Sequence, residues 1–206
     1  MANWNICYIV QSGKLGGAEI SMFQLLKHLN KKEYRPIVLA PPKTDVYFRL
    51  KQLNIDTIDF TLPKIKSYCP LRAFVNLFLL LFLCIKIRNI IKHNNISLVH
   101  TMSNKRSAAF GIVAARLAKV PVIWTIRNLQ WLKIVDQILI ANANKLIVVS
   151  DAVNNLFNRK HEHKDKFVKI YNAVDLSDFQ LELNLARPLL KKWGLKQTDF
   201  VVAMIG

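Results

Sequence analysis

The sequence is poor in cysteine and in acidic residues. Its 206 residues include three cysteines, Cys7, Cys69 and Cys84, which are scattered and lack CxxC spacing. An odd, scattered set argues against a disulfide framework and against a cysteine zinc site. Only 13 Asp and Glu stand against 30 Lys and Arg, for a formal charge of +17. This excess carries no information on the fold, but it favours polyanionic partners such as nucleic acid, anionic lipid or phosphorylated substrates.

The chain also lacks a signal-peptide start and any apolar run long enough to span a bilayer. Residues 1–5 have neither a basic nor an apolar region of that kind, so we expect the cytoplasm. Phe74–Ile85 is apolar except for Asn76, but a spanning helix needs about 20 such residues. The segment is therefore either a core helix or an in-plane membrane helix with basic flanks. In the second case the protein is peripheral on the inner face of the membrane, through Lys66, Arg72, Phe74, Phe78, Phe82, Lys86 and Arg88.

What the sequence does contain is an apolar content of 52%, which excludes general disorder, and a regular alternation of two patterns. Short β-branched runs predict strands at Asn5–Val10, Pro36–Ala40, Thr57–Phe60, Ser97–Thr101, Val120–Thr125, Lys145–Val149 and Lys166–Tyr171. Longer amphipathic stretches predict helices at Ala18–Asn30, Val46–Leu53, Pro70–His93, Lys105–Ala118, Leu129–Ala143 and Asp151–Arg159. Strands that alternate with helices imply βαβ crossovers, so we predict an α/β, Rossmann-like, doubly wound and mostly parallel sheet.

The last 35 residues follow a different pattern. Asn172–Pro188 has weak periodicity and is typical of a linker, Leu189–Leu195 predicts a short helix, and Phe200–Ile205 predicts a strand. A buried strand at the end of a chain needs a sheet to join. We therefore expect residues 172–206 to be a hinge and the first helix and strand of a second, truncated domain.

Five segments, in order along the chain, resemble the large family of retaining GT-B glycosyltransferases known as family 4, or group 1. The segments are Gly16–Glu19 after the first strand, Leu98–Thr101 with Ala114–Val122, Leu146–Ser150, Tyr171–Asp175 with Phe179, and Trp193–Leu195 with Phe200–Gly206. Thr125–Asn128 departs from the family's commonest form, because Arg127 stands where a histidine is usual. One such match carries little weight, whereas the ordered series covers nearly the whole chain.

The resemblance implies that residues 1–171 are the acceptor-side, N-terminal domain and residues 172–206 the start of the donor-binding domain. It also implies transfer of a sugar from a nucleotide diphosphate sugar to a glycan or lipid-linked acceptor, with retention, in polysaccharide biosynthesis. No cofactor or obligatory metal is implied beyond the donor. The family's paired glutamates and its Arg/Lys clamp belong to the C-terminal domain, supplied in cis or in trans, so we expect this chain alone to be inactive.

Two other functions remain as alternatives. The chain could be a non-catalytic acceptor-binding and membrane-recruiting subunit of a split GT-B enzyme. A basic nucleic-acid-binding domain also fits the charge of +17. We disfavour it, because aromatic residues are not interleaved with the basic ones as a stacking platform requires.

Gly16, Gly17 and Glu19 are candidates for contact with the donor diphosphate or the acceptor. Two glycines between a strand and a helix allow close approach of a phosphate to free helix N–H groups. The alternative is a turn that needs glycine because φ is positive. Glu19 either contacts a ligand or complements the helix dipole.

The other candidates are His100, Arg127 and Asn172. His100 ends a strand, where side chains face the crevice of an open α/β sheet, and is our candidate catalytic residue. The alternative is a core histidine bonded to the backbone. Arg127 could grip a phosphate or carboxylate in a bidentate manner. Asn172 joins this binding set and, with Asp175, is expected to shape the hinge.

A metal site is not expected. His161, Glu162 and His163 resemble a ligand set, but flanking lysines and the lack of a further ligand nearby predict a solvated loop instead.

Overall fold

The computed structural model describes residues 4–62, 70–102, 104–158, 163–179, 188, 190–196, 199–200 and 202. The strands are β1 (Trp4–Ile9), β2 (Tyr34–Ala40), β3 (Asp56–Asp59), β4 (Leu98–Thr101), β5 (Val122–Ile126), β6 (Lys145–Val148) and β7 (Phe167–Lys169). The helices are α1 (Gly17–His28), α2 (Asp45–Gln52), α3 (Pro70–His93), α4 (Lys105–Ala118), α5 (Lys133–Asn142) and α6 (Asp151–Asn158), with short 3₁₀ turns at Lys164–Lys166 and Leu176–Phe179.

Within the described residues, seven strands form one sheet in the order β3-β2-β1-β4-β5-β6-β7, and every neighbouring pair is parallel. The predicted Rossmann-like α/β fold is therefore confirmed. The chain moves outwards from β1 to β3 and then returns to place β4 beside β1. Ligands of open α/β sheets bind at such a reversal, outside the carboxyl ends of the strands.

Strand β1 shows how the period of two builds both sides of the core. Cys7 and Ile9 belong to the larger apolar cluster, which includes residues of α3, α4, α5 and α6. Ile6, Tyr8 and Val10 belong to a second cluster with α1 and α2. Successive side chains of a strand point to opposite faces, so one strand serves two cores.

Helix α3 is buried on one face and exposed on the other over its described part. Ile87 and Ile91 are buried in the larger cluster, whereas Phe82 is 62% exposed. Lys66 lies outside the described residues, as do the side chains of Arg72, Phe74 and Phe78. In the part of the chain that is described, no helix combines the length and the apolarity that crossing a bilayer requires.

Helix α5 begins at Lys133, four residues later than predicted. The segment before it is held by side chains instead: the Leu132 N–H donates to Asp136 Oδ2 at 2.5 Å, and Lys105 Nζ donates to the Gln130 carbonyl. The apolar spacing from Leu129 onwards predicted an earlier start of the helix, because such spacing carries no information on contacts with another helix.

By its internal contacts the chain divides into two units, Met1–Ala173 and Val174–Gly206. In the second unit, residues 190–192 form a helical turn, and Gly194 follows it with φ +67°, a conformation that favours glycine. Most of the predicted strand Phe200–Ile205 lies outside the described residues. The assignment of the two parts to acceptor and donor domains stays a prediction.

Candidate functional site

The β1–α1 connection presents an open helix N-terminus at the carboxyl edge of the sheet. Gly16 precedes the helix with φ −130° and ψ 177°, which is extended backbone that any residue adopts. Neither Gly16 nor Gly17 has a positive φ, so the alternative of a turn that needs glycine for its backbone is wrong. A Cβ on Gly17 would meet no atom of the described chain within 4 Å. The pair therefore leaves free space beside the first-turn N–H groups, which have no acceptor within a helix.

Glu19 lies in the first turn of α1 and is only 6% exposed. Its carboxylate lies close to Gly16. A Cβ placed on Gly16 would be only 3.0 Å from Glu19 Oε2. A carboxylate here complements the helix dipole, as the sequence suggested. Glu19 also lines the same small recess as Tyr8 and His100.

His100 lies on β4, beside Tyr8 in the register of β1. It is 8% exposed, and its ring centre lies 5.4 Å from that of Tyr8. His100 Nε2 is 2.8 Å from Thr125 Oγ1, so its partner is a hydroxyl of β5 rather than the backbone. Burial, assisted by the charge of Arg127, lowers the pKa of His100 to about 4. The imidazole is therefore neutral at pH 7 and can orient a neighbour by hydrogen bonding, but it does not carry a proton to donate as imidazolium.

Arg127 follows β5 and reaches the segment that leaves the first unit. Its Nη1 donates to Asn172 Oδ1 at 2.6 Å, and Ser21 Oγ of α1 donates to the same oxygen at 3.5 Å. Burial lowers the pKa of Arg127, and the charge of Glu19 partly opposes this shift. Arg127 Nε is buried and has no partner among the described residues. Arg127 thus presents donors beyond the one that Asn172 uses.

These residues form one group, which we call the edge cluster: Gly16, Gly17, Glu19, His100, Arg127 and Asn172. The recess beside it is lined by Tyr8, Glu19, Met22 and His100, among others, and holds about 10 Å³ of space for water. That is about the room of one water molecule. The recess is therefore too small to enclose a larger ligand.

Sequence reasoning missed the ion pair between Lys105 and Asp136. Lys105 Nζ lies 2.6 Å from Asp136 Oδ2, and the Asp136 side chain is fully buried. Lys105 is the first residue of α4 and also lines a small recess with Thr125, Arg127 and Asn128. The pair therefore joins the start of α4, after β4, to helix α5, after β5, next to the segment that carries Arg127. The one sequence feature that could have predicted this ion pair is Asp136 itself, a single carboxylate within an apolar helix.

The described residues contain no group of three or more His, Cys, Asp or Glu that could hold a metal ion. His161 and Glu162 lie outside the described residues.

An open parallel sheet with a free helix N-terminus, a neutral histidine and a half-buried arginine near its switch point defines an α/β domain suited to anionic ligands. Sequence comparison specifies the class. The profile of Glycosyltransferase Family 4 matches residues 15–178, so the chain belongs to that family. No curated protein sequence matches the chain.

Solved structures with the same fold are GT-B proteins of about twice this length. Anabaena HepE in complex with UDP and glucose superposes with a TM-score of 0.70 at 19% identity, over 92% of this chain and 50% of that one. A glycosyltransferase from Rickettsia africae gives a TM-score of 0.72 at 20% identity, over 96% and 51%. S. aureus MnaA, in a co-structure with UDP, gives 0.66 at 15% identity, over 93% and 51%. The chain thus spans about half of the length of the structures it matches.

Proposed function

We propose that this chain is the acceptor-side half of a GT-B glycosyltransferase that moves a sugar from a nucleotide diphosphate sugar to a glycan or lipid-linked acceptor. Membership of family 4 supports the reaction class. Two proteins of the same fold, HepE and MnaA, were crystallised with UDP, which supports a sugar nucleotide as donor. The observation that carries the proposal is the open helix N-terminus at Gly16 and Gly17, in one cluster with Arg127.

In the transfer, the bond between the anomeric carbon and the diphosphate oxygen breaks and a bond to the acceptor oxygen forms. Negative charge develops on the departing diphosphate, which takes up the proton that the acceptor hydroxyl loses. First-turn N–H groups of α1 and the Arg127 guanidinium are positive groups that favour such charge. Neutral His100, held by Thr125, is suited to orienting a hydroxyl group. We further propose retention at the anomeric carbon and no cofactor other than the donor.

The test compares the chain alone with the chain supplied with a donor-binding half, either fused after residue 206 or as a separate protein. We expect no transfer by the 206-residue chain and transfer by the combination, because the leaving-group clamp belongs to the second half. Arg127→Met should lower transfer by the combination roughly 10²-fold, the usual effect of one lost charge-stabilising donor. If the isolated chain transfers sugar faster than its Gly17→Val variant does, the proposal that transfer requires a donor-binding half is wrong.

A specific observation also favours the alternative of an acceptor-binding, membrane-recruiting subunit. Leu81, Phe82 and Ile85 of α3 are exposed, and Lys86 lies over the Phe60 ring with its Nζ 5.7 Å from the ring centre. This apolar surface with basic neighbours suits contact with an anionic membrane. The same experiment separates the two functions: a recruiting subunit needs a donor half from a second polypeptide and tolerates Arg127→Met.

A further inference from the structure

His100 and Thr125 form a buried hydrogen-bonded pair between β4 and β5. His100 Nε2 lies 2.8 Å from Thr125 Oγ1, and the two residues are 8% and 3% exposed. Within the described part of the chain, neither the Thr125 hydroxyl nor the His100 ring makes another hydrogen bond. The positions of the hydrogens at this contact therefore depend on these two groups alone.

Only one arrangement of the hydrogens satisfies both side chains. A hydroxyl has one hydrogen to donate, and the neutral imidazole of His100 has one N–H and one bare nitrogen that accepts. If Nε2 carried the hydrogen, Thr125 would accept it, and the hydroxyl hydrogen would have no acceptor among the described residues. A buried donor without a partner is costly, which disfavours that arrangement by roughly tenfold. The hydroxyl therefore donates to a bare Nε2, and the imidazole hydrogen lies on Nδ1.

His100 Nδ1 is the ring nitrogen that stays available for a ligand. It has no partner within the described residues, and it is not one of the fully buried polar atoms that lack one. His100 also lines the recess beside the edge cluster, together with Tyr8, Glu19 and Met22. The recess has space for about one water molecule. A single ligand oxygen is of that size and can therefore reach the imidazole there.

We propose that Thr125 is a positioning residue: its hydroxyl donates to His100 Nε2 and so keeps the imidazole hydrogen on Nδ1, from which His100 donates to an oxygen of the ligand. The ligand group is therefore one whose oxygen accepts a hydrogen bond. A hydroxyl group at this position is oriented through its lone pairs and keeps its own hydrogen, because Nδ1 is not bare. If the proposed sugar transfer holds, His100 is not the base that deprotonates the acceptor, a consequence that rests on the proposed function.

The experiment records ¹H–¹⁵N NMR spectra of the imidazole rings in the ¹⁵N-labelled 206-residue chain at neutral pH. The sequence has five histidines, and the signals that are missing in His100→Gln belong to His100. We expect a bare Nε2 and a protonated Nδ1. Thr125→Val should remove the roughly tenfold preference, so that both tautomers are populated, whereas Thr125→Ser retains a hydroxyl and should keep the wild-type tautomer.

The matched control is Thr101→Val. Thr101 is also a buried threonine of the sheet, and its hydroxyl donates to the Ile123 carbonyl rather than to His100. Its loss should leave the tautomer of His100 unchanged.

Two results would overturn the proposal. One is a wild-type spectrum in which His100 Nε2 carries the hydrogen as often as Nδ1 does, or more often; the other is a folded Thr125→Val variant that keeps the wild-type tautomer. Should Thr125→Val fail to fold, the wild type and Thr125→Ser decide, since a protonated Nε2 in either one excludes donation by the hydroxyl. The tautomer is measured without sugar transfer, so a wrong tautomer leaves the proposed function standing, and a failure of transfer leaves the tautomer standing.

Discussion

Replacing Gly17 by valine separates a binding role of the glycine from a structural one. In the structure, Gly17 is the first residue of α1, its φ is not positive, and a Cβ would meet no described atom within 4 Å. The fold should therefore tolerate the change within about 0.5 kcal/mol, as exposed positions usually do. For a protein of this size that is a shift of about 1–2 °C in thermal midpoint.

Sugar transfer should respond very differently to the same change. The valine side chain would occupy the space beside the first-turn N–H groups, where we place the diphosphate. Loss of one aligned donor to a developing charge costs roughly 10²–10³ in rate, or about 3–4 kcal/mol. The assay is transfer by the chain combined with a donor half, alongside thermal unfolding of the chain by itself.

Gly111 of α4 provides the control with the opposite outcome. A Cβ there would lie 2.4 Å from Thr101 Cγ2 and 3.1 Å from Ile9 Cδ1, inside the core. Gly111→Ala should cost about 1–3 kcal/mol of stability through overpacking. If Gly17→Val lowers the midpoint and the rate together, as Gly111→Ala would, or leaves the rate unchanged, the diphosphate assignment is wrong.

Two further predictions concern buried polar groups. Lys105→Met leaves the fully buried Asp136 carboxylate without its cation, so urea unfolding should show a loss of about 3–5 kcal/mol, against less than about 0.5 kcal/mol for the exposed control Lys92→Met. A loss below about 1 kcal/mol for Lys105→Met would refute the structural role of the pair. The pKa of His100 is lowered from 6.5 to about 4, so the unfolded chain takes up a proton between these values that the folded chain does not. The contribution of neutral His100 to the unfolding free energy should therefore be fully present above pH 6.5, and the unfolding free energy should fall by on the order of 3 kcal/mol as the pH drops to 4. His100→Gln should remove this pH dependence from denaturation curves measured across that range.

The sequence alone determined the fold class, since the two periodicities are local properties. The alternation in Ile6–Val10 sets the two faces of β1 without reference to any other strand. The position of the glycine pair between β1 and α1 was likewise readable from the sequence, whereas its contact with a ligand stays a prediction. The ordered motif series was sufficient to indicate the family, which the match over residues 15–178 confirms.

Tertiary structure decided how the side chains in and beside the edge cluster meet, because the partners lie far apart along the chain. His100 and Thr125 are 25 residues apart, Lys105 and Asp136 are 31 apart, and Arg127 and Asn172 are 45 apart. Each pair lies on different strands, loops or helices, so its contact depends on strand order and register, which local patterns do not specify. The same holds for burial. Asp136 is charged, yet it is buried, because Lys105 of another helix supplies the cation that a buried carboxylate needs, whereas the apolar Ile134 of the same helix is exposed.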